Sequence, residues 1–315
     1  MTNVVWLMVM VGGAGAIVWG AEVFAEHLAD ASKRLGVTAF ALALLLAGAE
    51  PEELATVITA SARDVGGVAF GDVIGANATI VTVALGVGAW MTLVPFGRDV
   101  RRYAFGGLLT GVIASMFAWD GRVGRLEGVV LVASYVAFVA AIWWRERRPP
   151  TLGEAGELDE AVDPDGRVGS DLAYVVAGLV ALSLGSIALV EAVRRISGIE
   201  ETQTRLGLTV VAFATAFELV VLAYSASRHG ITEAVVAGVI GSYAYNMTMS
   251  LGLGAVIVPL SIDNAGLVHW PLVVMLALMA VAIGLATRNG TLGRRDAVVL
   301  FAGYPVFVIA ALLGG

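Results

Sequence analysis

The chain alternates between apolar runs of about 20 residues and short polar gaps that carry most of its arginines. A run of that length crosses a ~30 Å hydrocarbon layer as a helix. Ten such runs can be placed: near 4–24, 37–61, 68–94, 103–120, 127–144, 172–193, 206–227, 232–260, 267–287 and 297–313. Two of them break the pattern from within. Residues 36–62 hold no charge except Glu50, Glu52 and Glu53, and residues 206–227 none except Glu218, with the acids near the middle in both cases.

These two segments are copies. Shifted by 166 positions, Glu52 falls on Glu218, Thr59-Ala60-Ser61 on Ser225-Ala226-Ser227, and Val73-Ile74-Gly75 on Val239-Ile240-Gly241, with no gap. Ten spans then divide as five plus five. An odd number per half makes the halves enter the bilayer with opposite orientation, the inverted-repeat plan of many secondary transporters. The expected fold is therefore all-α, with ten transmembrane helices in two inverted five-helix repeats at 1–144 and 172–315. Between them, residues 145–171 are rich in Pro, Gly and acids and read as a flexible linker.

Composition agrees with the spans. At 58% hydrophobic and 14% charged residues, with mean hydropathy +0.87, the chain is a polytopic membrane protein in contact with lipid. Met1-Thr2-Asn3 lead straight into a full-length span with no basic leader, which argues against a cleaved signal peptide. Loops after odd-numbered spans hold thirteen of the Lys and Arg residues and the other side six. That imbalance places the odd loops and the central linker in the cytoplasm of a multi-pass cell-membrane protein, with both termini outside. With no cysteine there are no disulfides, thiolate metal sites or Cys nucleophiles. The net charge of −7 argues against nucleic acid. We find no nucleotide-binding loop, no Ser/His/Asp arrangement and no sign of a cofactor. His27, His229 and His269 fall at span ends, and Asp64 and Glu233 at helix starts, where solvation and capping are the expected roles.

The central acids carry the chemistry. An ionised carboxylate at mid-bilayer costs on the order of 3 kcal/mol, so four left alone would exceed the net stability of many domains. No Lys or Arg lies in either segment to neutralise them. Gly48 and Pro51 weaken the helix where the acids cluster, and backbone unwound at membrane depth offers carbonyl oxygens to a cavity. Carboxylate, carbonyl and hydroxyl oxygens together suit Ca²⁺ or Na⁺ rather than Zn²⁺ or Cu²⁺.

At these residues the chain resembles the calcium/cation antiporters, which include the sodium/calcium and cation/proton exchangers. The resemblance covers most of the chain. It is carried by GAEPEE (48–53) with GDVIGAN (71–77), by ATAFEL (214–219) with AGVIGSY (237–243), and by VWGAEVFAEHLADASKRLGVTAF (18–40). It implies a mid-membrane site between spans 2, 3, 7 and 8, with spans 1 and 6 as the gating pair. Glu53 falls on the family's ion-binding glutamate; with it, Glu52 and Glu218 are read as principal ligands and Glu50 as a further one, with Thr215, Ser242 and Asn246 supplying neutral oxygen. Asp72 stands where the family has an amide, as a ligand or as an entrance acid.

Several positions depart from the pattern. Leu219 replaces the family's second glutamate, Glu52 and Glu218 occupy the position of its proline, and Ala49, Ala76, Ile80 and Ala216 replace hydroxyl or amide ligands. Hydroxyls have been traded for carboxylates, which bind protons as well as metal ions. The resulting expectation is an antiporter, not an enzyme, exchanging Ca²⁺ or a similar divalent cation for Na⁺. H⁺ coupling is the alternative, with a cation channel or an intramembrane carboxylate hydrolase as remoter ones. Asn77 and Asn246 have a second possible role as interhelical hydrogen bonders, Thr215 and Ser242 as partners of backbone carbonyls one turn back, and Glu50 as a vestibule acid.

Overall fold

The computed structural model describes residues 3–34, 50–146, 168–229 and 232–314. They form α1 (Asn3–Arg34), α2 (Pro51–Ala62), α3 (Gly66–Met91), α4 (Arg98–Ala118), α5 (Arg125–Glu146), α6 (Val168–Ile196), α7 (200–215), α8 (Phe217–His229), α9 (232–257), α10 (Gly266–Asn289) and α11 (Arg294–Leu313). Among the described residues, seven stretches are long and apolar enough to cross a membrane: Val4–Phe24, Gly66–Met91, Arg125–Arg145, Ser170–Ile196, Glu200–Arg228, Gly266–Asn289 and Arg294–Leu313. Three predicted spans are not among them, each for a visible reason. Residues 35–49 of the span at 37–61 lie outside the described residues. α4 opens with Arg98, Asp99, Arg101 and Arg102, and α9 places Ser242, Asn246, Thr248 and Ser250 inside the protein. Most of the linker, 147–167, also lies outside the described residues.

Burial sorts the helices into layers. The window in Gly66–Met91 is 94% buried, whereas those in Arg125–Arg145 and Arg294–Leu313 are 28% buried. Apolar side chains such as Val129, Val136, Val306 and Ile309 are therefore left on the outer surface, where lipid would solvate them. α3 is central because its glycines let a second backbone approach. A Cβ on Gly71 would lie 2.6 Å from the Leu208 amide nitrogen, and one on Gly75 2.2 Å from the Leu208 carbonyl oxygen. α1 and α6 pack antiparallel along a separate seam. There a Cβ on Gly13 would meet the Gly185 oxygen at 2.9 Å, and one on Gly20 the Gly178 oxygen at 2.9 Å.

Element boundaries recur at the offset read from the sequence. The α-helical start of α3, Gly66–Thr79, corresponds to Thr232–Tyr245 of α9. The π-helical turn Ile80–Ala84 corresponds to Asn246–Ser250, and Leu85–Met91 to Leu251–Ile257. Strand β1 (Val94–Pro95) corresponds likewise to β3 (Leu260–Ser261). Three extra residues then enter the second half, and β2 (Arg122–Val123) and β4 (Thr291–Leu292) are related by 169. The left-handed glycines that precede them, Gly121 at φ 77° and Gly290 at φ 71°, keep the same relation. Each strand pairs with the other half: β1 antiparallel to β4, β2 to β3. The flanking hydrogen bonds match as well, Phe96 N–H to Gly290 O at 2.7 Å and Ile262 N–H to Gly121 O at 2.9 Å.

Candidate cation-binding site

Both acid-bearing segments begin a helix at equivalent positions. α2 starts at Pro51, which needs no hydrogen-bond acceptor for its nitrogen, after the non-helical Glu50 at φ −105°, ψ 78°. α7 ends at Thr215, and α8 restarts at Phe217 after a turn at Ala216. Glu52, Glu53 and Glu218 therefore lie in the first turns of α2 and α8, where the positive end of the helix dipole favours a carboxylate.

Three carboxylates meet. One oxygen each of Glu50, Glu52 and Glu53 lies within 4.8 Å of the other two, and all three side chains are buried. Glu53 is completely buried, with Glu50, Glu52 and Asp72 as its acidic neighbours. Glu218 stands outside the trio and is only half-buried. Leu219, at the register position of Glu53, is an apolar wall with 4% exposure.

The neutral groups join the four elements. Ser242 of α9 donates to Glu50 ahead of α2. Thr215 of α7 donates to Asp72 of α3 at 2.9 Å, and Asp72 is fully buried, its second oxygen without a hydrogen bond among the described residues. Asn77 of α3 donates to the Tyr243 carbonyl at 3.1 Å, and Asn246 donates to Asn77 Oδ1 at 3.3 Å. Asn246 opens the π-helical turn of α9, the kind of local unwinding that recurs at functional sites, and its own Oδ1 is buried without a partner among the described residues. The structure thus brings together Glu50, Glu52, Glu53 and Ser242 at one point and Asp72 with Thr215 beside Glu53, while Asn246 enters an amide pair between α3 and α9.

Two aromatic residues escape the sequence reading. Tyr245 sits one residue before Asn246, its phenol within electrostatic reach of Glu50, Glu52 and Glu53. Tyr135 of α5 crosses it edge-on at 5.4 Å between ring centroids. Their buried hydroxyls stood in spans that read simply as apolar, and no motif pointed to them.

Against this geometry, the sodium/calcium exchanger protein family matches residues 4–144 and 170–313, nearly the whole chain. The chain belongs to the sodium/calcium exchanger family. Among its relatives, the putative antiporter CaxA of Alkalimonas amylolytica is 25% identical over 316 residues, covering 98% of this chain and 97% of CaxA. Sodium/calcium exchanger MaX1 of Methanosarcina acetivorans is 24% identical over 96% of this chain and 97% of its own length. Among solved structures, the H⁺/Ca²⁺ exchanger CAX superposes with a TM-score of 0.73 at 15% identity, over 98% of this chain and 86% of CAX. The sodium-calcium exchanger NCX_Mj does so with a TM-score of 0.62 at 19% identity, over 97% and 98% of the two chains. At those identities the likeness is one of fold. These relatives and neighbours are exchangers and antiporters, which makes this family member a multi-pass membrane transporter rather than an enzyme.

Proposed function

We propose that this exchanger carries Ca²⁺, or a divalent cation of similar size, across the cell membrane against a flow of Na⁺ through the site at Glu50, Glu52 and Glu53. The observation that carries the reading is the buried trio within 4.8 Å. Three carboxylates gathered away from water repel one another unless a cation or protons sit among them, and hard oxygen ligands favour Ca²⁺ over transition metals. Asp72 with Thr215, and Ser242 on Glu50, extend the oxygen set. Glu218 and Asn246 would line the route to it from α8 and α9.

The strand pairs support inverted halves. α4, with 21 residues, is roughly 30 Å long, which sets β1 and β2 at opposite ends of it. β3 pairs with β2, so β1 and its repeat mate β3 lie at opposite ends too. This arrangement supports a ten-span inverted repeat, in which the arginine-rich β1–β4 end and the linker would be cytoplasmic and both termini outside. The glycine-lined pair α1 and α6 contacts the remainder mainly through α2, as a gating pair sliding over the site requires.

One observation favours a proton as counter-ion instead. The hydroxyls of Thr215 and Ser242 are spent on carboxylates, which leaves the site richer in acids than in the neutral oxygens Na⁺ needs. The two readings separate in vesicles of purified protein by following ⁴⁵Ca²⁺ uptake under imposed Na⁺ and pH gradients. Uptake that follows the outward Na⁺ gradient and ignores pH supports Na⁺; uptake that follows the proton gradient alone replaces it. Uptake with no trans ion would indicate a channel and overturn both.

A further inference from the structure

At the end of the molecule where β1 meets β4, the tips of α10 and α11 and the residue Leu93 border an open cavity of about 470 Å³. Arg288, Arg294 and Arg295 line it, with Asn289 and Thr291 between them. Asp296 is the one acid in the lining, and its Oδ2 already accepts the Gly293 amide at 2.9 Å. None of the ion pairs among the described residues engages Arg288 or Arg295. The wall is apolar: Leu93, 66% exposed, and Val299, 47% exposed, lie on the outer surface of the helix bundle. Beside them Trp90 is exposed, with the Arg294 guanidinium 5.9 Å from its ring centroid and Arg294 Nε–H on its carbonyl at 3.1 Å. Tryptophan and arginine together mark the level where hydrocarbon gives way to headgroups.

The repeat supplies an internal comparison. At the opposite end, the same framework puts Trp119, Arg125 and Leu126 where this end has Arg288, Arg294 and Arg295. The fold builds that corner with two arginines, Arg125 and the Arg122 that stands in place of Thr291, and without a counterpart to Arg288 or Arg295, so those two are not needed to form it.

We propose that this cavity binds the phosphate of an anionic phospholipid, the guanidiniums taking its oxygens and the acyl chains lying along Leu93 and Val299. Planar guanidinium forks match phosphate oxygens, and basic pockets between membrane helices take acidic headgroups. A free phosphate ion would meet the same arginines and leave the apolar wall unused; that wall is the reason to assign a lipid. The assignment does not depend on which ions are exchanged.

Native mass spectrometry of the full chain in detergent tests it, with phosphatidylglycerol and phosphatidylcholine as probes and inorganic phosphate as competitor. Wild-type protein should retain phosphatidylglycerol over phosphatidylcholine. Arg288→Gln and Arg295→Gln should each weaken that retention roughly fivefold, the worth of one basic side chain near an anionic surface. Arg288→Lys and Arg295→Lys, which keep the charge, should restore most of it and show that a loss is not misfolding. Equal retention of the two lipids, or unchanged retention in both Gln variants, overturns the proposal. Full displacement of the lipid by millimolar phosphate also overturns it, by marking the cavity as a site for free anions.

Discussion

Within the site, charge matters more than shape. Glu53→Gln keeps the volume of a fully buried side chain and removes one of three clustered charges. A unit charge 4 Å from a cation is worth about 4 kcal/mol at an effective dielectric of 20 before desolvation is subtracted, so Ca²⁺ affinity should fall by at least about tenfold. Calorimetric titration of the folded variant checks this, and an unchanged affinity would remove Glu53 from the site. Because carboxylates must be ionised to ligate a metal, protons compete with Ca²⁺. Apparent affinity should therefore drop as pH is lowered from about 8 to 5. Glu50→Ala removes one member of the trio and should flatten that profile; an identical profile would separate Glu50 from the cluster. Serine and threonine were read as ligands with backbone bonding as the alternative. Here Ser242 and Thr215 hold carboxylates in place, and Thr215 also reaches the Val211 and Ala212 carbonyls at 3.3 and 3.2 Å.

Among the elements, the crossing of α3 with the π-helical turn Gly207–Val211 of α7 sets the geometry. It presses two backbones together through Gly71 and Gly75, and that contact places Asp72 beside Thr215. Gly75→Ala would force an atom to 2.2 Å from a backbone oxygen with no flexible end to yield, and overpacking of this kind costs typically 1–3 kcal/mol. Its thermal midpoint in detergent should fall by several degrees and Ca²⁺ binding should fall with it. Gly284→Ala, in open space on α10, should leave both unchanged. A Gly75→Ala protein as stable as wild type would mean that this crossing is looser than drawn.

For the whole molecule, opposed halves make a prediction that needs no ion. The chain has no cysteine, so single introduced ones report cleanly. Gly97→Cys and Asp263→Cys occupy repeat-equivalent, exposed positions just after β1 and β3. A membrane-impermeant maleimide should label them from opposite sides of sealed vesicles. Labelling of both from one side would discard the inverted repeat.

Periodicity and charge were enough to read a helical membrane protein, because a bilayer admits few backbone solutions and each leaves a run of about 20 apolar residues. The 166-residue offset was legible too, since duplication leaves the same residues at the same spacing, and the helix starts at Pro51 and Phe217 obey it. The helix start after Glu50 was announced by Pro51, whereas no proline marks the turn at Ala216. Partnership across the halves was not legible. Nothing local to Asp72 indicates that Thr215 will bond it, or that Ser242 will reach Glu50, because those contacts depend on how α2, α3, α7 and α9 pack. Along the chain Glu218 stands beside Glu52 and Glu53 as a principal ligand, with Glu50 a further one. Packing gathers Glu50, Glu52 and Glu53 and leaves Glu218 outside the trio, since a side chain's direction is set by the helix that carries it and by the neighbours that helix meets. Tyr245 and Tyr135 belong to the same class: their hydroxyls are written in the sequence, but only the fold turns them toward the carboxylates.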